Sequence, residues 1–598
     1  MLLANFIDFI RQMNLDAYIT PIANDHFSEI IGSCDDRVKA LTGFTGTYGI
    51  AVTGKINMFF TTFQFTEKAR NEVKNYQIIE EDGNGFHTQL SGKGLQRVGI
   101  SAKLITSKEF IKIRDQLSAL GITLVAYSND LLDKVWKEQP RKVFNDIFNL
   151  ESHKYSEYVD YNYIKLFPEM KISESKGYNL DTIIPGVSYL DKIADLQEEL
   201  GVREGILISN LSTIGWLTNL RGSDLAYSSE FYAFAYLTKD TLKIFSGKKI
   251  EMPGIDSYPY NDFYDFLNEI ANDKVHISGD VNYFIYSKLM NPTYTEKVEL
   301  AEERKNSIET FGMKMAALKD AQALIKLFVW INNTTEPTEL EIQKKMIALK
   351  KKNRGYFSES FAPIIASGIN SREIYHAPSD KRHKKDDLLL VDVGSHYMHG
   401  TTDITRTVCF GVPTDDMIRF YTITLKSLVN AKYIRKTSIR GSELDDAARL
   451  YFKKINKDYP TATGHGVGFF SSVHEKVPKM SYENDTLALY NIFTLEPSYF
   501  DAAMGIRIED MVLLNSQDEF IFQTNLSYVP LQLNLIDNSM LTENERKMIN
   551  LYSRKMREFL TPLFKKGSEE MRYVITNTEK LPDIEQTKDV DGDLFTQK

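Results

Sequence analysis

The sequence predicts a protein of α/β and α+β class: two α/β domains, then a domain of helices on a largely antiparallel sheet. Three observations carry that reading. Helical stretches alternate with short apolar runs such as GIAVT (49–53), INMFF (56–60) and ITLVAY (122–127) through the first part of the chain. From Asn306 the texture changes to long helices, IETFGMKMAALKDAQALIKLFVWINN and LEIQKKMIALKKK. Strand candidates then follow closely: LLLVDVG, TDITRTVCFG, IFTLEP and GIRIEDMVLLN.

At 598 residues the chain is too long for one core, so several domains are expected. The first helix, LLANFIDFIRQM, contains Asp8 and Arg11 and lacks the basic start and cleavage site of a signal peptide. KVWKEQP closes a first domain, 1–142. Residues 143–185 are polar and Tyr-rich, as in HKYSEYVDYNYIK, and read as a linker or insertion. A second α/β domain, 186–303, runs from the helix YLDKIADLQEEL through the strands GILIS, FYAFAYLT and LKIFSG. The third domain is 304–598. No repeat of 20–50 residues is visible.

The composition excludes several classes. A net charge of -9 argues against general binding to nucleic acid or anionic lipid. The basic runs KKMIALKKKNR and KRHKK are expected to be solvated faces. Two cysteines, Cys34 and Cys409, make no disulfide framework. No apolar run reaches the ~18 residues of a membrane span. A soluble protein of a reducing compartment is expected.

The stretch VDVGSHYMHGTTDITRT raises a problem of charge. It reads as a hairpin centred between Tyr397 and Met398, so that residues whose numbers sum to 795 face each other. Asp392 and Asp403 then stand opposite on one face, where like charges repel unless a cation or a proton intervenes. Further on, TGHGVGFFSSVHE sets His465 and His474 among glycines that let the backbone approach a site closely. IFTLEPSYF puts Glu496 at the end of an apolar strand, and GIRIEDMVLL puts Glu509 in the middle of another. Buried carboxylates need partners. Four of them with one imidazole make a hard, oxygen-rich set suited to two divalent cations, Mn²⁺ before any thiolate-loving metal.

The order D-x10-D-x61-H-x30-E-x12-E, in the contexts VDVG, GTTDITRT, TGHGVG, LEPS and GIRIED, resembles the pita-bread metallopeptidases. The resemblance is strongest to the three-domain Xaa-Pro aminopeptidases (aminopeptidase P) and covers nearly the whole chain. AYITPIANDHFSEIIGSCDDR and LTGFTGTYGIAVT look like their first domain. DKIADL, WLTNLRGSD and KNSIETFGMKMAALKDA look like their second and the entry to their third. The resemblance implies two creatinase-like domains before a pita-bread catalytic domain. It implies that Asp392 binds one metal, that Asp403 and Glu509 bridge both, and that His465 and Glu496 bind the other. It further implies hydrolysis of the bond before a second-position proline by a metal-bridging hydroxide, with Glu496 relaying the proton and His474 hydrogen-bonding the substrate. A cytoplasmic homodimer acting on Xaa-Pro peptides, without nucleic acid or membrane, completes the picture. The alternatives are a catalytically weak metal-binding relative used as a peptide-binding or scaffold module, and a prolidase-type dipeptidase.

The chain departs from that family's pattern in places. EIYHAP sets Tyr375 where the family has histidine and His376 where it has tyrosine; an extended strand there would point the two to opposite faces. Thr461 takes the place of a histidine that lies near the metal-bound one. Thr62 and Gln64 replace an aspartate and an arginine, Ser498 replaces the glycine of Glu-Pro-Gly, and Lys476 replaces that of His-Glu-Gly. The expected metal ligands are intact while their surroundings are altered.

Overall fold

The computed structural model describes residues 1–81, 83, 85–159, 163, 165–166, 182–480 and 486–583. Part of the linker reading (160–162, 164 and 167–181) and the side chain of Lys476 lie outside this description. The chain forms two compact units, one of residues 1–154 with 183–302, the other of 155–182 with 303–598.

In the first unit the apolar runs become strands, because β-branched and aromatic residues alternate between two buried faces. Ala17–Pro21, Ile50–Gly54, Met58–Thr61, Gln77–Glu80, Arg97–Ser101 and Thr123–Tyr127 form one six-stranded sheet. Along it, the fourth, third, second, first, fifth and sixth strands lie side by side. Ile19, Val52 and Ile100 share one core with Phe110 and Leu117 of the helix Ser107–Ala119. Tyr18 faces the other way, onto Phe6 and Ile10 of the helix Leu2–Gln12.

A second six-stranded sheet runs through Glu204–Ile208, Ala233–Thr238, Leu242–Ser246, Ile255–Pro259, Lys274–Ile277 and Thr293–Tyr294. Its strand order is the same, and so is the pattern of parallel and antiparallel pairs. The unit therefore repeats one topology over a span far longer than the 20–50 residues in which a repeat was sought.

The second unit is built from antiparallel pairs and long helices. Asn306 caps the helix Ser307–Asn332 with a reciprocal bond to Glu309, and Thr338 caps Glu339–Lys350 in the same way with Glu341. Leu389–Tyr397 pairs with Gly400–Val408 on one edge and with Tyr356–Glu359 and Ile364–Ser367 on the other. A second sheet orders Glu475–Lys479, His465–Gly466, Ile492–Leu495, Asp510–Gln517 and Phe520–Asn525. Ser498–Phe500 and Gly505–Arg507 form a separate ribbon.

Three expectations are corrected. The hairpin register places Gly394 opposite Asp403 and Asp392 opposite Thr405, because Met398 and His399 form the turn and Tyr397 pairs with Gly400. Asp392 and Asp403 still share a face, as diagonal rather than direct neighbours. Glu509 is not inside a strand: it lies between Gly505–Arg507 and Asp510–Gln517, where a single antiparallel register, shared with Ile492–Leu495 and Ser498–Phe500, is interrupted opposite Glu496 and Pro497. The basic run 344–354 is not wholly solvated. Lys350 follows Ile342 and Met346 on the buried helix face, and its Nζ donates to Glu359 (2.7 Å) and to the Gly394 carbonyl (2.9 Å). No helix among the described residues is long and apolar enough to cross a membrane.

Candidate metal centre

The hairpin, the strand end at Leu495 and the break at Glu509 bring the carboxylates together. Donor atoms of Asp392, Asp403 and Glu509 lie within 4.8 Å of one another. The same holds for His465, Glu496 and Glu509, and for Asp403, His465 and His474. Glu509, Asp403 and His465 thus each belong to two of the groups. All five expected ligands fall in one cluster.

Local geometry aims each group. Gly464 lets the chain pass the opposite strand, since a Cβ there would sit 1.9 Å from the Thr494 carbonyl oxygen. The His465 backbone N–H donates to Thr494 Oγ1 (3.1 Å), and Thr494 Oγ1 donates to Glu496 Oε1 (3.2 Å). The Glu496 N–H donates to the Thr463 carbonyl at 2.7 Å. Thr405, two residues past Asp403, donates to Glu509 Oε2 (2.8 Å).

The donor set fits a cation. His465 Nδ1 faces the Gly466 carbonyl at 2.9 Å, and a carbonyl can only accept, so Nδ1 carries the proton. In the neutral ring Nε2 then presents a lone pair to Asp403 Oδ2 and Glu496 Oε1, each 3.4 Å away. Three acceptors converging on one point repel unless a positive charge lies between them. In the metal-free chain, burial pushes the Asp392 carboxyl up to about 6, against the pull of Arg507 and with the repulsion of Asp403 and Glu496. Burial and then the charges of Asp403, Glu496 and Asp392 push Glu509 well above the usual carboxylate range.

Arg507 escaped the sequence reading. Its Nη2 donates to Asp392 Oδ2 and its Nε to Thr405 Oγ1 (3.2 Å). The signal was present: Arg507 stands two residues before Glu509, so an extended chain points both the same way. Lys305 escaped too. Buried at the entry to the unit, it donates to Glu475 Oε1 (2.6 Å), the residue after His474. Ser472 Oγ donates to the His474 carbonyl (3.0 Å), which fixes the backbone between His474 and the Lys305-bound Glu475. The exposed ring of His474 stands edge-on to His465, centroids 4.1 Å apart.

The altered positions are resolved differently. Residues 373–378 follow the 3-10 turn Gly368–Arg372 as turn and coil rather than strand, so strand alternation does not decide their directions. Tyr375 is half exposed. His376 is buried, with Nε2 2.8 Å from Glu339 and Nδ1 3.1 Å from Glu373. Thr461 Oγ1 lies 3.0 Å from Ser498 Oγ. In the first unit, Thr62 Oγ1 donates to Gln64 Oε1 (3.0 Å) at the start of the helix Phe63–Glu72.

The comparisons with known proteins agree with this architecture. The metallopeptidase family M24 model matches residues 312–516. The creatinase/prolidase N-terminal domain matches 168–309, and the C-terminal region of peptidase M24 matches 519–581. The chain is similar to proteins named "Probable Xaa-Pro aminopeptidase P" from Laccaria bicolor (28% identity, 96% of this chain, 92% of that one) and Talaromyces marneffei (26%, 96% and 91%). In structure it is similar to the X-prolyl aminopeptidase of Caenorhabditis elegans, described as a cytosolic enzyme with a di-nuclear active site. That likeness has a TM-score of 0.86 at 24% identity, covers 97% of this chain and 99% of that one, and shows the fold. The acidic cluster thus lies in the stretch that matches metallopeptidase family M24, between the match to the creatinase/prolidase N-terminal domain and the match to the C-terminal region of peptidase M24.

Proposed function

We propose that the chain is a dinuclear metallo-aminopeptidase that releases the first residue of peptides with proline in second position. The observation that carries this is one continuous cluster of donors, in which Asp403, His465 and Glu509 each belong to two neighbouring groups. In this reading Asp392 binds one cation, His465 and Glu496 the other, and Asp403 and Glu509 both. When bound, the two divalent cations, proposed to be Mn²⁺, supply a Lewis acid for the scissile carbonyl and make water nucleophilic near neutral pH.

The chain's own residues do the rest. His474, exposed beside the cluster, donates a hydrogen bond to the substrate near the reacting carbonyl. Water adds to the carbonyl carbon and the bond to the proline nitrogen breaks. A prolyl nitrogen carries no hydrogen in the peptide, so it leaves only if it receives a proton. Glu496 takes that proton from the water and delivers it to the nitrogen. Arg507 holds Asp392 in place and offsets part of the negative charge.

Incubation of the Mn²⁺-loaded protein with Xaa-Pro-Yaa, Xaa-Ala-Yaa and Xaa-Pro peptides tests the reading. Release of the first residue from Xaa-Pro-Yaa supports it. Cleavage of the dipeptide alone favours a prolidase-type activity, and tight metal binding without turnover favours a peptide-binding role.

A cytoplasmic homodimer is part of the same proposal, supported by the likeness to aminopeptidase P. So is the division into domains 1–142, 186–303 and 304–598 around a linker, supported by one six-stranded sheet within each of the first two spans.

A further inference from the structure

Thr461 and Ser498 are two of the positions where the family pattern is broken, and the fold brings their side chains into contact. Their hydroxyls lie 3.0 Å apart, with Ser498 fully buried and Thr461 9% exposed. They come from different elements on either side of Glu496. Thr461 belongs to the loop before His465. Ser498 opens the ribbon that follows Glu496 and is paired there with Arg507.

Neither backbone is free to retreat. The Thr461 carbonyl accepts from Arg449 Nη2 (2.8 Å). Arg449 is held in turn by both oxygens of Asp445 (2.9 Å each), by Asp458 (2.6 Å) and by the Tyr459 carbonyl (2.7 Å). Thr463 joins the same network through Asp445 and Tyr459 (2.5 and 2.6 Å) and receives the Glu496 N–H on its carbonyl. On the other side, Ser498 is fixed by its pairing with Arg507, whose guanidinium grips Asp392. The space between two fixed backbones is divided by the two side chains: what one gains in size the other must give up. An imidazole at 461 needs the volume that the Ser498 side chain occupies. Glycine at 498 with threonine retained leaves a void and strips a buried hydroxyl of its partner.

We propose that Thr461 and Ser498 form one coupled specificity element: a pair of hydroxyls that closes the space beside Glu496 with a wall carrying no titratable group and admits a histidine at 461 only when Ser498 loses its side chain. As a wall of the substrate site it rests on the reading above; as a coupled pair it does not. The two breaks in the family pattern are then a single exchange, small for large at 461 and large for small at 498.

Four proteins test this: wild type, Thr461→His, Ser498→Gly and the double variant. Thermal unfolding after chelation reads the pair without any activity. Thr461→His alone lowers the unfolding temperature most, and adding Ser498→Gly recovers much of that loss. With Mn²⁺ and an Xaa-Pro-Yaa peptide, Thr461→His loses about tenfold or more in kcat/KM, and the double variant regains it, the non-additivity expected of side chains in contact. The double variant also gains an inflection near pH 6.5, about the ordinary histidine value, that Ser498→Gly lacks. If Thr461→His does not fold, Thr461→Ala, Ser498→Ala and their double give the same cycle, with the double less damaged than the two losses together. Strictly additive losses, or a Thr461→His protein as stable as the double, overturn the proposal. If the wild type cleaves no peptide, the aminopeptidase reading fails while the unfolding cycle still decides the coupling.

Discussion

Glu509 and Asp510 are consecutive and both buried, yet their charges are treated in opposite ways. Asp510 has two cations against it, Arg406 Nη2 at 2.7 Å and the Lys432 ammonium, and Arg406 also donates to the Glu509 carbonyl, the Val529 carbonyl and Tyr552. Glu509, turned the other way, shares its space with Asp392, Asp403 and Glu496. Among the described residues one guanidinium, Arg507, and the imidazoles of His465 and His474 face those four carboxylates. Adjacent positions on the strand Gly400–Val408 serve the two sides, Thr405 the first and Arg406 the second. A buried acid with its cation built in holds the fold. A set of acids short of positive charge is a place for cations from solution, and the deficit rather than the acidity marks the site.

That contrast predicts which changes cost activity and which cost stability. Glu496→Gln should lower turnover on Xaa-Pro peptides by about 10²–10⁴-fold, the ordinary worth of acid–base help, while the chelated protein is no less stable than wild type. Asp510→Asn should do the reverse. It leaves two buried cations short of their partner and should cost about 3–5 kcal/mol in denaturant unfolding. Normal stability in that variant would break the comparison.

Glu509→Gln should invert its effect with metal. In the chelated protein it removes one of four repelling charges, so the unfolding temperature should rise. With Mn²⁺ present wild type gains stability by binding, and the variant, having lost a shared ligand, should gain less. Elemental analysis should find two metals per chain in wild type and fewer in this variant and in Asp403→Asn.

His376 offers the smallest effect, as a site whose charge balance depends on a proton. Burial opposes its charge, but the hydrogen bonds it donates to Glu339 and then Glu373 outweigh it and hold its pKa above the ordinary value. A folded pKa above the unfolded one means stability that is complete below about pH 6.5 and is lost as pH rises through the folded value. His376→Gln should flatten the unfolding profile across that range, and an unchanged slope would remove the ion pair from consideration.

Much of this was legible in the sequence, and the gaps have physical causes. Strand parity put Asp392 and Asp403 on one face although the assumed turn was misplaced, because an even shift of register preserves the face. Arg507 could have been found from its spacing to Glu509, and Lys350 from its helical phase with Ile342 and Met346. The break at Glu509 could not, since it lies opposite Glu496 and Pro497, and that register is set by the fold rather than by the residues around Glu509. The repeated sheet of the first unit was hidden because topology belongs to the backbone.

The return of the chain between the two units has a consequence for how the protein is made. Tyr155 is fully enclosed in the second unit, its hydroxyl donating to the Ile308 carbonyl (2.8 Å) and its ring against Phe311. Close by, the Tyr158 carbonyl accepts from Lys319 (2.7 Å), and its ring stacks on His399 in the turn of the carboxylate hairpin. During synthesis at roughly 5–20 residues per second, these tyrosines leave the ribosome on the order of tens of seconds before His399 exists to receive them. The nascent chain must carry these tyrosines without their final partners for that interval. The same arrangement means that no contiguous fragment beginning at Glu303 is the whole second unit, since the prop for its carboxylate hairpin is encoded nearly 150 residues upstream.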